Sequence, residues 1–322
     1  MLIIIMKIPF SPMASSFKIT FLGTGGSWPF PGRSLPSIIL QMDDYICMFD
    51  CGEGTQKQIM KSGISFMKID SIFLTHFHGD HFLGILGLIQ SMSFNGREKP
   101  LKVFGPPGAI SVLSRAFNVG YFSLGFEIEI NEIPFGGSVE TGFFRIDTLK
   151  ADHPVPAVSY KVTENDMVKI DPEKAKLLGI PSEKLEKIRK NGSINLDGRI
   201  ITLNEISGGI KKGRSMVYSG DTRPNPNMPE FAKGVDVLIH DTTTDSSLEP
   251  KVNEFGHSSS RQAAEIARSA EVKSFYLFHY SPRVDNPEIL LDEAKKIFSN
   301  SILSRELLSV EIKKGETIPE NQ

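Results

Sequence analysis

The sequence predicts an α/β fold in which two sheets pack face to face and helices cover their outer sides. In the first half of the chain, short apolar strands alternate with amphipathic helical segments. The same alternation returns in the second half, so each sheet can bury both of its faces. With 322 residues, 40% of them hydrophobic, the chain is long enough to build such a core.

The elements of the first half follow from apolar periodicity and from turn residues. The first strand ends in the glycine-rich run Gly23-Thr24-Gly25-Gly26, and the next two form a hairpin through Asp43-Asp44. One helix follows Pro106-Pro107, in accord with the preference of proline for helix starts. The predicted strands are 17–22, 37–42, 45–50, 71–74, 126–133 and 143–149, and the predicted helices are 54–61, 80–92 and 108–118.

The second half repeats this scheme. In its last helix Leu290, Ala294 and Ile297 share one face, as a core-facing helix requires. The predicted strands are 157–162, 215–219, 235–240, 274–279 and 308–312, and the predicted helices are 258–269 and 286–298.

A polar insertion, about 165–214, interrupts the second half. It is far longer than a typical connection of about 4–6 residues, and insertions of this size are usually functional or disordered. Its densest basic run, 184–190, can be a solvated helix face or a phosphate-binding patch. The basic residues of this run are Lys184, Lys187, Arg189 and Lys190.

Composition limits the location and the partners. The net charge of −2 excludes a globally basic coat for nucleic acid, and no DNA partner is expected. No apolar run approaches the roughly 20 residues of a membrane span. Cys47 and Cys51 lie in an apolar stretch, which is typical of buried thiols in a reducing cytosol. We therefore expect a cytoplasmic protein without a membrane partner.

The first residues differ in character from the rest. The apolar run 2–6 is shorter than the roughly 7–15 residues of a signal-peptide core, and no charge precedes it. Met6 and Met13 are alternative starts. We expect 1–16 to be a leader, either disordered or preceding the true start, and 17–322 to be one domain.

The strongest motif is the segment 75–81, which reads Thr-His-Phe-His-Gly-Asp-His directly after an apolar run. Alternation along a strand end places His76 and His78 on one side, and the following turn brings Asp80 and His81 near them. Imidazole and carboxylate are the ligands that zinc takes when a coordination position stays open for water. Four such groups without a metal would carry a desolvation cost.

Further metal ligands stand at other predicted strand boundaries: His153, Asp221 and His279. Asp221 is the best candidate to bridge two ions, because a carboxylate has two oxygens. Taken singly, His153 and His279 are equally compatible with a structural role. His257 precedes a helix, and a histidine beside a carboxylate is suited to protonate a leaving alkoxide. His240 remains open between a structural position and a direct role.

These motifs resemble the metallo-β-lactamase superfamily and, within it, the ribonuclease Z family of tRNA 3′-processing endonucleases in its short form. The resemblance begins near Phe17 and covers nearly the whole chain. It implies the four-layer αββα metallo-β-lactamase sandwich with an inserted protruding arm. The segments that carry it are 21–26, 49–56, the histidine motif at 75–81, 218–224 and 256–259.

The resemblance also implies a division of roles. His76, His78 and His153 would hold one zinc, Asp80, His81 and His279 the other, and Asp221 would bridge them. Asp80 would in addition accept a proton, and His257 with Asp241 would deliver one to the leaving group. Asp50 and His240 would support the ligands from outside. The family usually has Glu where this chain has Asp241, one methylene shorter.

The activity implied is hydrolysis of precursor tRNA, leaving a 3′-hydroxyl on the tRNA and a 5′-phosphate on the trailer. Two zinc ions per subunit are expected, with Mn²⁺ or Fe²⁺ as alternatives, in a homodimer whose arms grip the tRNA through the basic residues at 184–190. The competing hypotheses are another dimetal hydrolase of this fold (a thioesterase, lactonase or phosphodiesterase), a diiron redox protein and a non-catalytic RNA-binding protein.

Overall fold

The structure, a computed structural model, describes residues 3–5, 14–141, 144–315 and 317–318. Seven strands form one large sheet, in which the late strand Ser309–Glu311 pairs with Lys18–Gly23. In spatial order they are Ser309–Glu311, Lys18–Gly23, Ser37–Met42, Tyr45–Phe49, Ile69–Phe73, Leu101–Gly105 and Ile128–Glu132.

Eight strands form the second large sheet, which is antiparallel from Ser138–Glu140 to Ser215–Tyr218 and parallel at both ends. In spatial order they are Ile3–Ile5, Ser138–Glu140, Phe144–Lys150, Val158–Glu164, Ser215–Tyr218, Val237–Asp241, Ser274–Phe278 and Ser301–Leu303.

The strands of the two sheets do not follow the simple division of the chain into halves. The predicted strand near 308–312 pairs in the first sheet, and the predicted strand near 143–149 pairs in the second. Chain order cannot reveal this arrangement, because both strands have ordinary alternating patterns. The predicted fold class is nevertheless confirmed: two sheets lie face to face with helices outside.

Aromatic side chains fill the space between the sheets. Phe73 stacks on Phe104 with ring centroids 4.7 Å apart, and Tyr160 from the other sheet meets Phe73 edge-on at 5.6 Å. Helices cover the outer faces, and the predicted helix 80–92 is divided at Leu83. The helices are Thr55–Ser62, Gly79–Phe82, Gly84–Phe94, Ala109–Phe117, Pro172–Leu177, Ser182–Asn191, Met228–Phe231, Glu249–Glu254, Ser260–Ser269 and Glu288–Lys295.

The insertion, which we call the arm (165–214), has a small core of its own. Ile188, Ile201 and Ile206 are buried in it, and Asp171 caps its first helix by accepting hydrogen bonds from backbone amides. The arm therefore folds as a separate unit on the second sheet. Its elements are the helices Pro172–Leu177 and Ser182–Asn191 and the strands Met167–Ile170, Ser193–Leu196, Arg199–Thr202 and Ser207–Lys211.

The expected leader is only partly outside the fold. Residues 1–2 and 6–13 lie outside the described residues, but Ile3–Ile5 pairs in parallel with Ser138–Glu140. Ala14 is buried in the core between the sheets. The pairing is possible because an open sheet edge accepts a further apolar strand. The domain boundary at residue 16 stays a prediction.

Candidate metal centre

The predicted ligands meet at the ends of strands from both sheets. His76 and His78 follow Ile69–Phe73, Asp221 follows Ser215–Tyr218, and His279 follows Ser274–Phe278. The carboxyl ends of these parallel strands face the same edge, which is where α/β sheets gather functional side chains. Two adjoining groups of ligand atoms result.

The first group comprises His76, His78, His153 and one oxygen of Asp221. The Nδ1 atom of His78 lies 3.1 Å from Nε2 of His76 and 3.1 Å from Nε2 of His153. The Oδ2 atom of Asp221 lies 3.6 Å from Nε2 of His76. Ligands about 2.0–2.1 Å from a tetrahedral zinc are about 3.3–3.4 Å from one another, so these spacings suit one ion.

The second group comprises Asp80, His81, His279 and the other oxygen of Asp221. The Nε2 atoms of His81 and His279 lie 3.3 Å apart, and Oδ1 of Asp221 is 3.2 and 3.3 Å from them. The Oδ2 atom of Asp80 lies 3.6 and 3.5 Å from the same nitrogens. The two oxygens of Asp221 thus face different groups, as a bridging carboxylate requires.

Hydrogen bonds on the far side of the rings determine which nitrogen is free. The Nδ1–H of His81 donates to Asp50 at 2.7 Å, and that of His153 donates to the carbonyl of Gly256 at 3.0 Å. Because these partners only accept, Nε2 of each ring faces the centre, and in the neutral ring that a metal ion requires it carries a lone pair there.

Two threonines act in the same way on two more rings. The hydroxyl of Thr75 donates to Asp50, so it accepts from Nδ1–H of His76 at 3.0 Å. The hydroxyl of Thr243 donates to Asp241 and accepts from His279 at 3.3 Å. Four imidazoles therefore point lone pairs into one small space, and bare nitrogens cannot hydrogen-bond one another. A cation satisfies all of them.

Asp221 gives independent support for a cation at this position. Its Oδ1 atom is buried and, among the described residues, no hydrogen bond satisfies it. A buried carboxylate oxygen without a partner is costly unless it coordinates a metal. The donor set and this orphaned atom together fit two metal ions.

The electrostatics of the pocket favour positive charge. Burial lowers the pKa of His81, but the nearby carboxylates Asp221, Asp50 and Asp80 outweigh it and raise that pKa well above its usual value. Burial raises the pKa of Asp80, but the opposite effect of His81 and His279 is larger. The pKa is therefore lowered and this carboxylate is ionised. The pKa of His76 is lowered by burial and by the neighbouring histidines.

Asp50 anchors the ligand segments. Its carboxylate is fully buried and accepts from the backbone amide of Thr75 at 2.7 Å and from the Tyr218 hydroxyl at 2.7 Å, besides His81. Asp50 has a φ of 55°, a left-handed conformation that few non-glycine residues adopt. The hydrogen bonds on both carboxylate oxygens offset this strain and connect the two sheets beneath the centre.

His257 stands at the edge of the centre, beside Asp241. Its Nδ1 lies 2.9 Å from Oδ2 of Asp241 and 3.8 Å from Asp221, so the shorter carboxylate reaches it. Burial lowers the pKa of His257, but the charge and hydrogen bond of Asp241, helped by Asp221, raise it to about 9. Asp241 is held in turn by the amide of Thr222 and the hydroxyl of Thr243.

His240 lies apart from both ligand groups. Its ring is fully buried, and its Nδ1–H donates to the backbone carbonyl of Asp241 at 2.9 Å. Within the part of the chain that the structure describes, its Nε2 has no partner. Burial lowers its pKa. Its neighbour Asp241 contributes its side chain to the site, whereas alternation turns His240 to the other face of the strand.

The arm helix carries its basic residues on several sides. Ile188 is its buried residue, and at about 100° per residue Lys187 and Arg189 lie on opposite flanks of it. Lys187 and Lys190 are exposed and share a flank, whereas Lys184 and Arg189 are half-buried. The structure thus separates the four predicted residues into an exposed pair and a partly covered pair.

Several contributors to the site are not visible as motifs. Thr75, Thr243 and Tyr218 are ordinary residue types whose roles depend on partners far away in the chain. Gly26 is another contributor to the site. Only glycine fits at this position, because a Cβ there would lie 2.3 Å from the His279 ring. The glycine-rich run at 23–26 is the sequence signal for this contact, because glycine is favoured where the backbone approaches another group closely.

Two protein-family models match parts of the chain. A model described as the anti-Pycsar protein Apyc1 matches residues 17–127, and a beta-lactamase superfamily domain matches residues 204–280. The chain is also similar to curated proteins over nearly its full length. It is 58% identical over 301 residues to "Ribonuclease Z" of Thermoplasma acidophilum, which covers 94% of this chain and 98% of that protein.

Other relatives extend the same comparison. "Ribonuclease Z" of Picrophilus torridus is 51% identical (95% of this chain, 99% of that protein), and that of Methanothermobacter thermautotrophicus is 40% identical (94% and 99%). Among solved structures, the short form of human tRNase Z superposes with a TM-score of 0.67 at 23% identity, covering 91% of this chain and 98% of that one. A diphosphatase of the PhnP family gives 0.62 at 19% (92% and 98%). Both show the same fold.

The helices were also compared with the requirements of a membrane span. Among the described residues, none of them is both long enough and apolar enough to cross a bilayer.

Proposed function

The chain belongs to the ribonuclease Z family, and we propose that it is a metal-dependent endoribonuclease that removes the 3′ trailer from precursor tRNA. The observation that carries this proposal is a complete dinuclear ligand set with a histidine–aspartate pair, His257 and Asp241, at its edge. A non-catalytic RNA-binding relative has no need of either. The two sheets supply these groups from segments that only the folded chain brings together.

We propose zinc for both positions, held by His76, His78 and His153 on one side and by Asp80, His81 and His279 on the other, with Asp221 between them. Five imidazoles and two carboxylates make a donor set suited to zinc, while Mn²⁺ and Fe²⁺ accept the same ligands less selectively. When bound, such a metal pair supplies the Lewis acidity that activates water and offsets the charge of the scissile phosphate.

The residues of the chain move the two protons of the reaction. The attacking water forms a bond to phosphorus and gives its proton to Asp80, whose carboxylate is ionised. The bond between phosphorus and O3′ breaks, and His257 gives a proton to that oxygen. Asp241 positions the ring and stabilises its cationic form, because its carboxylate accepts from Nδ1–H. The products are a tRNA 3′-hydroxyl and a trailer 5′-phosphate.

Cleavage of a defined precursor tests the proposal. Metal-loaded protein is incubated with a precursor tRNA carrying a 3′ trailer, and the ends are mapped. We expect one cut after the discriminator nucleotide, the one that precedes the CCA end of mature tRNA, and loss of cutting in Asp80→Ala. Intact precursor together with rapid hydrolysis of thioesters, lactones or small phosphodiesters would assign the site to another hydrolase of this fold.

The arm is proposed to hold the tRNA body. Its exposed pair, Lys187 and Lys190, lies on one flank of the helix Ser182–Asn191 and can meet one phosphate backbone. Because the whole chain has a net charge of −2, local cations of this kind have to supply the phosphate contacts. Lys184 and Arg189 are proposed to contribute less, since their side chains are half-buried.

The salt dependence of binding measures these contacts. Replacing Lys187 and Lys190 by Gln should reduce the slope of log affinity against log salt by roughly 1.4–1.8, because each lost phosphate contact removes about 0.7–0.9. The matched control is Lys212→Gln, whose ammonium pairs with Asp166 at 2.7 Å in the same arm. An equal change in the control would mean that the arm acts only through its total charge.

We propose that the protein forms a homodimer, with its interface on the helical face of the first sheet. Two neighbouring grooves of about 530 and 360 Å³ share Gln56 and Gly87 as lining residues. Around them Phe94 is 93% exposed, with Met60 and Leu83 also exposed. Exposed apolar groups that gather in this way usually mark an interface. Light scattering should give the mass of two chains, and Phe94→Ser with Met60→Ser should halve it.

Residence in the cytoplasm is part of the same proposal. Cys47 and Cys51 are free and buried, and burial raises the pKa of both thiols. Inert buried thiols suit a reducing compartment, and precursor tRNA is found in such a compartment.

A further inference from the structure

A large cavity opens beside His257. Its volume is about 610 Å³, within the roughly 300–1,000 Å³ of small-molecule sites. Ser27 and Thr243 line its end towards the centre. One wall is apolar, with Val252, Phe255, Ile289 and Leu290. The charged lining residues are the cations Lys251 and Arg283 and the carboxylates Asp245 and Asp285.

An exposed aromatic residue stands next to this cavity. Trp28, the single tryptophan of the chain, is 46% exposed and directly follows the lining residue Ser27. The guanidinium carbon of Arg283 lies 5.4 Å from the Trp28 ring centroid. Within the described ranges Arg283 forms no ion pair with a carboxylate. Exposed aromatic rings and unpaired guanidinium groups are the surfaces on which unpaired nucleobases stack.

The backbone fixes this stacking surface relative to the centre. The amide of Ser27 donates to Oδ2 of Asp80 at 2.7 Å, and the amide of Trp28 donates to the carbonyl of Gly26 at 3.0 Å. Next to Arg283, the backbone carbonyl of Val284 accepts from Arg33 at 2.9 Å. The backbone that carries Trp28 and Arg283 is therefore fixed before any ligand arrives, which reduces the entropy lost on binding.

The direction of the reaction identifies the occupant. In an in-line displacement the attacking water and the leaving oxygen lie on opposite sides of phosphorus. His257 protonates the leaving O3′, so the nucleoside that owns this oxygen lies on the His257 side. His257 is also a lining residue of the cavity, so the cavity is within reach of that nucleoside.

We propose that this cavity binds the nucleoside on the 5′ side of the scissile phosphate, the discriminator nucleotide (called the last mature nucleotide below), with its base stacked on Trp28 and its backbone near Arg283 and Lys251. This inference rests on the proposed function and on the role given there to His257. Stacking does not distinguish one base from another, because every base has a π-face. The site therefore accepts any unpaired nucleotide at that position.

Substrates with one base removed test the proposal. Three precursors are compared: the intact one, one abasic at the last mature nucleotide, and one abasic at the first trailer nucleotide. For the unmodified enzyme, kcat/KM should fall roughly 5- to 150-fold on the first abasic substrate, the value of one stacked base. It should change little on the second.

The variants show whether Trp28 receives that base. In Trp28→Ala the ratio of intact to abasic kcat/KM at the last mature nucleotide should fall towards 1. The control is Tyr121→Ala, another exposed aromatic residue, in which the ratio should keep its original value. An unchanged ratio in Trp28→Ala, or a sensitivity that moves to the first trailer nucleotide, overturns the proposal. Failure of the unmodified enzyme to cut any precursor contradicts the proposed function itself.

A second measurement does not depend on catalysis. Because Trp28 is the single tryptophan, its fluorescence reports directly on stacking. Mature tRNA that ends at the last mature nucleotide should quench it, and the same tRNA without that base should not. Quenching by the free trailer oligonucleotide, or equal quenching by both tRNAs, contradicts the assignment.

Discussion

At the scale of single residues, the pair His257 and Asp241 shows how a shorter side chain can keep a contact. The carboxylate lies one methylene closer to its backbone than glutamate does, yet Nδ1 of His257 is 2.9 Å away. Thr222 and Thr243 hold Asp241 from behind. The hydrogen bond and the charge of Asp241 raise the pKa of His257 to about 9 against the effect of burial.

Replacing Asp241 by Asn should lower kcat/KM roughly 10²–10⁴-fold, the usual value of a positioned general acid. A group with a raised pKa is protonated below that pKa, so activity carried by cationic His257 is lost as pH rises through it. Without the carboxylate this loss should move to lower pH in the rate profile. Asp241→Glu keeps the charge and is the matched control. If Asp241→Asn kept the original pH–rate profile, Asp241 would have no role in the mechanism.

Much of the site at this scale could be predicted from the sequence. His76, His78, Asp80 and His81 are close in the chain, so their types and spacing alone indicate a metal. Thr75 and Thr243 could not be assigned, because their roles depend on Asp50 and Asp241 meeting them through the fold. A threonine beside a histidine is too common to be a signal.

At the scale of elements, a buried ion pair joins the two ends of the arm to the second sheet. Glu164 directly precedes the arm and Arg214 ends it, and the two side chains meet at 2.8 Å with almost no exposure. Arg214 also donates to the carbonyl of Ala14 and lies 5.3 Å above the ring of Phe17. The guanidinium group of Arg214 thus contacts the base of the arm, the start of the domain and the core between the sheets.

Removing this guanidinium should destabilise the whole domain. Arg214→Met leaves Glu164 buried and unpaired, and breaking a buried pair costs roughly 3–5 kcal/mol. Denaturant unfolding should show the loss, and Glu164→Leu added to Arg214→Met should recover part of it. Lys212→Met is the control, because its pair with Asp166 is exposed and such pairs contribute about 0–1 kcal/mol. Equal losses in both variants would contradict the assignment.

The arm also shows where sequence patterns stop being informative. Its length and polarity predict an inserted segment, and the basic run predicts a helix face with phosphate contacts. The direction of each basic side chain depends on which side of the helix Ser182–Asn191 packs against the rest of the arm. The buried side chain of Ile188 marks that side. The pairing of Ile3–Ile5 is likewise invisible, because it depends on an edge strand far along the chain.

At the scale of the whole molecule, the metal centre is a link between the sheets. His76 and His78 extend from the first sheet, whereas Asp221 and His279 extend from the second. Both ligand groups include Asp221 together with residues from the first sheet. Binding of metal therefore stabilises the packing of the two sheets as well as the active centre.

Removal of metal should consequently lower the stability of the folded chain. A ligand present at about 100 times its dissociation constant contributes about 2.7 kcal/mol, provided that it binds only the native state. Calorimetry with chelator should show a lower melting temperature, restored by zinc. In Asp221→Asn the melting temperature should respond much less to zinc, because the bridging charge is lost. An equal response in both proteins would mean that the two positions bind metal independently of Asp221.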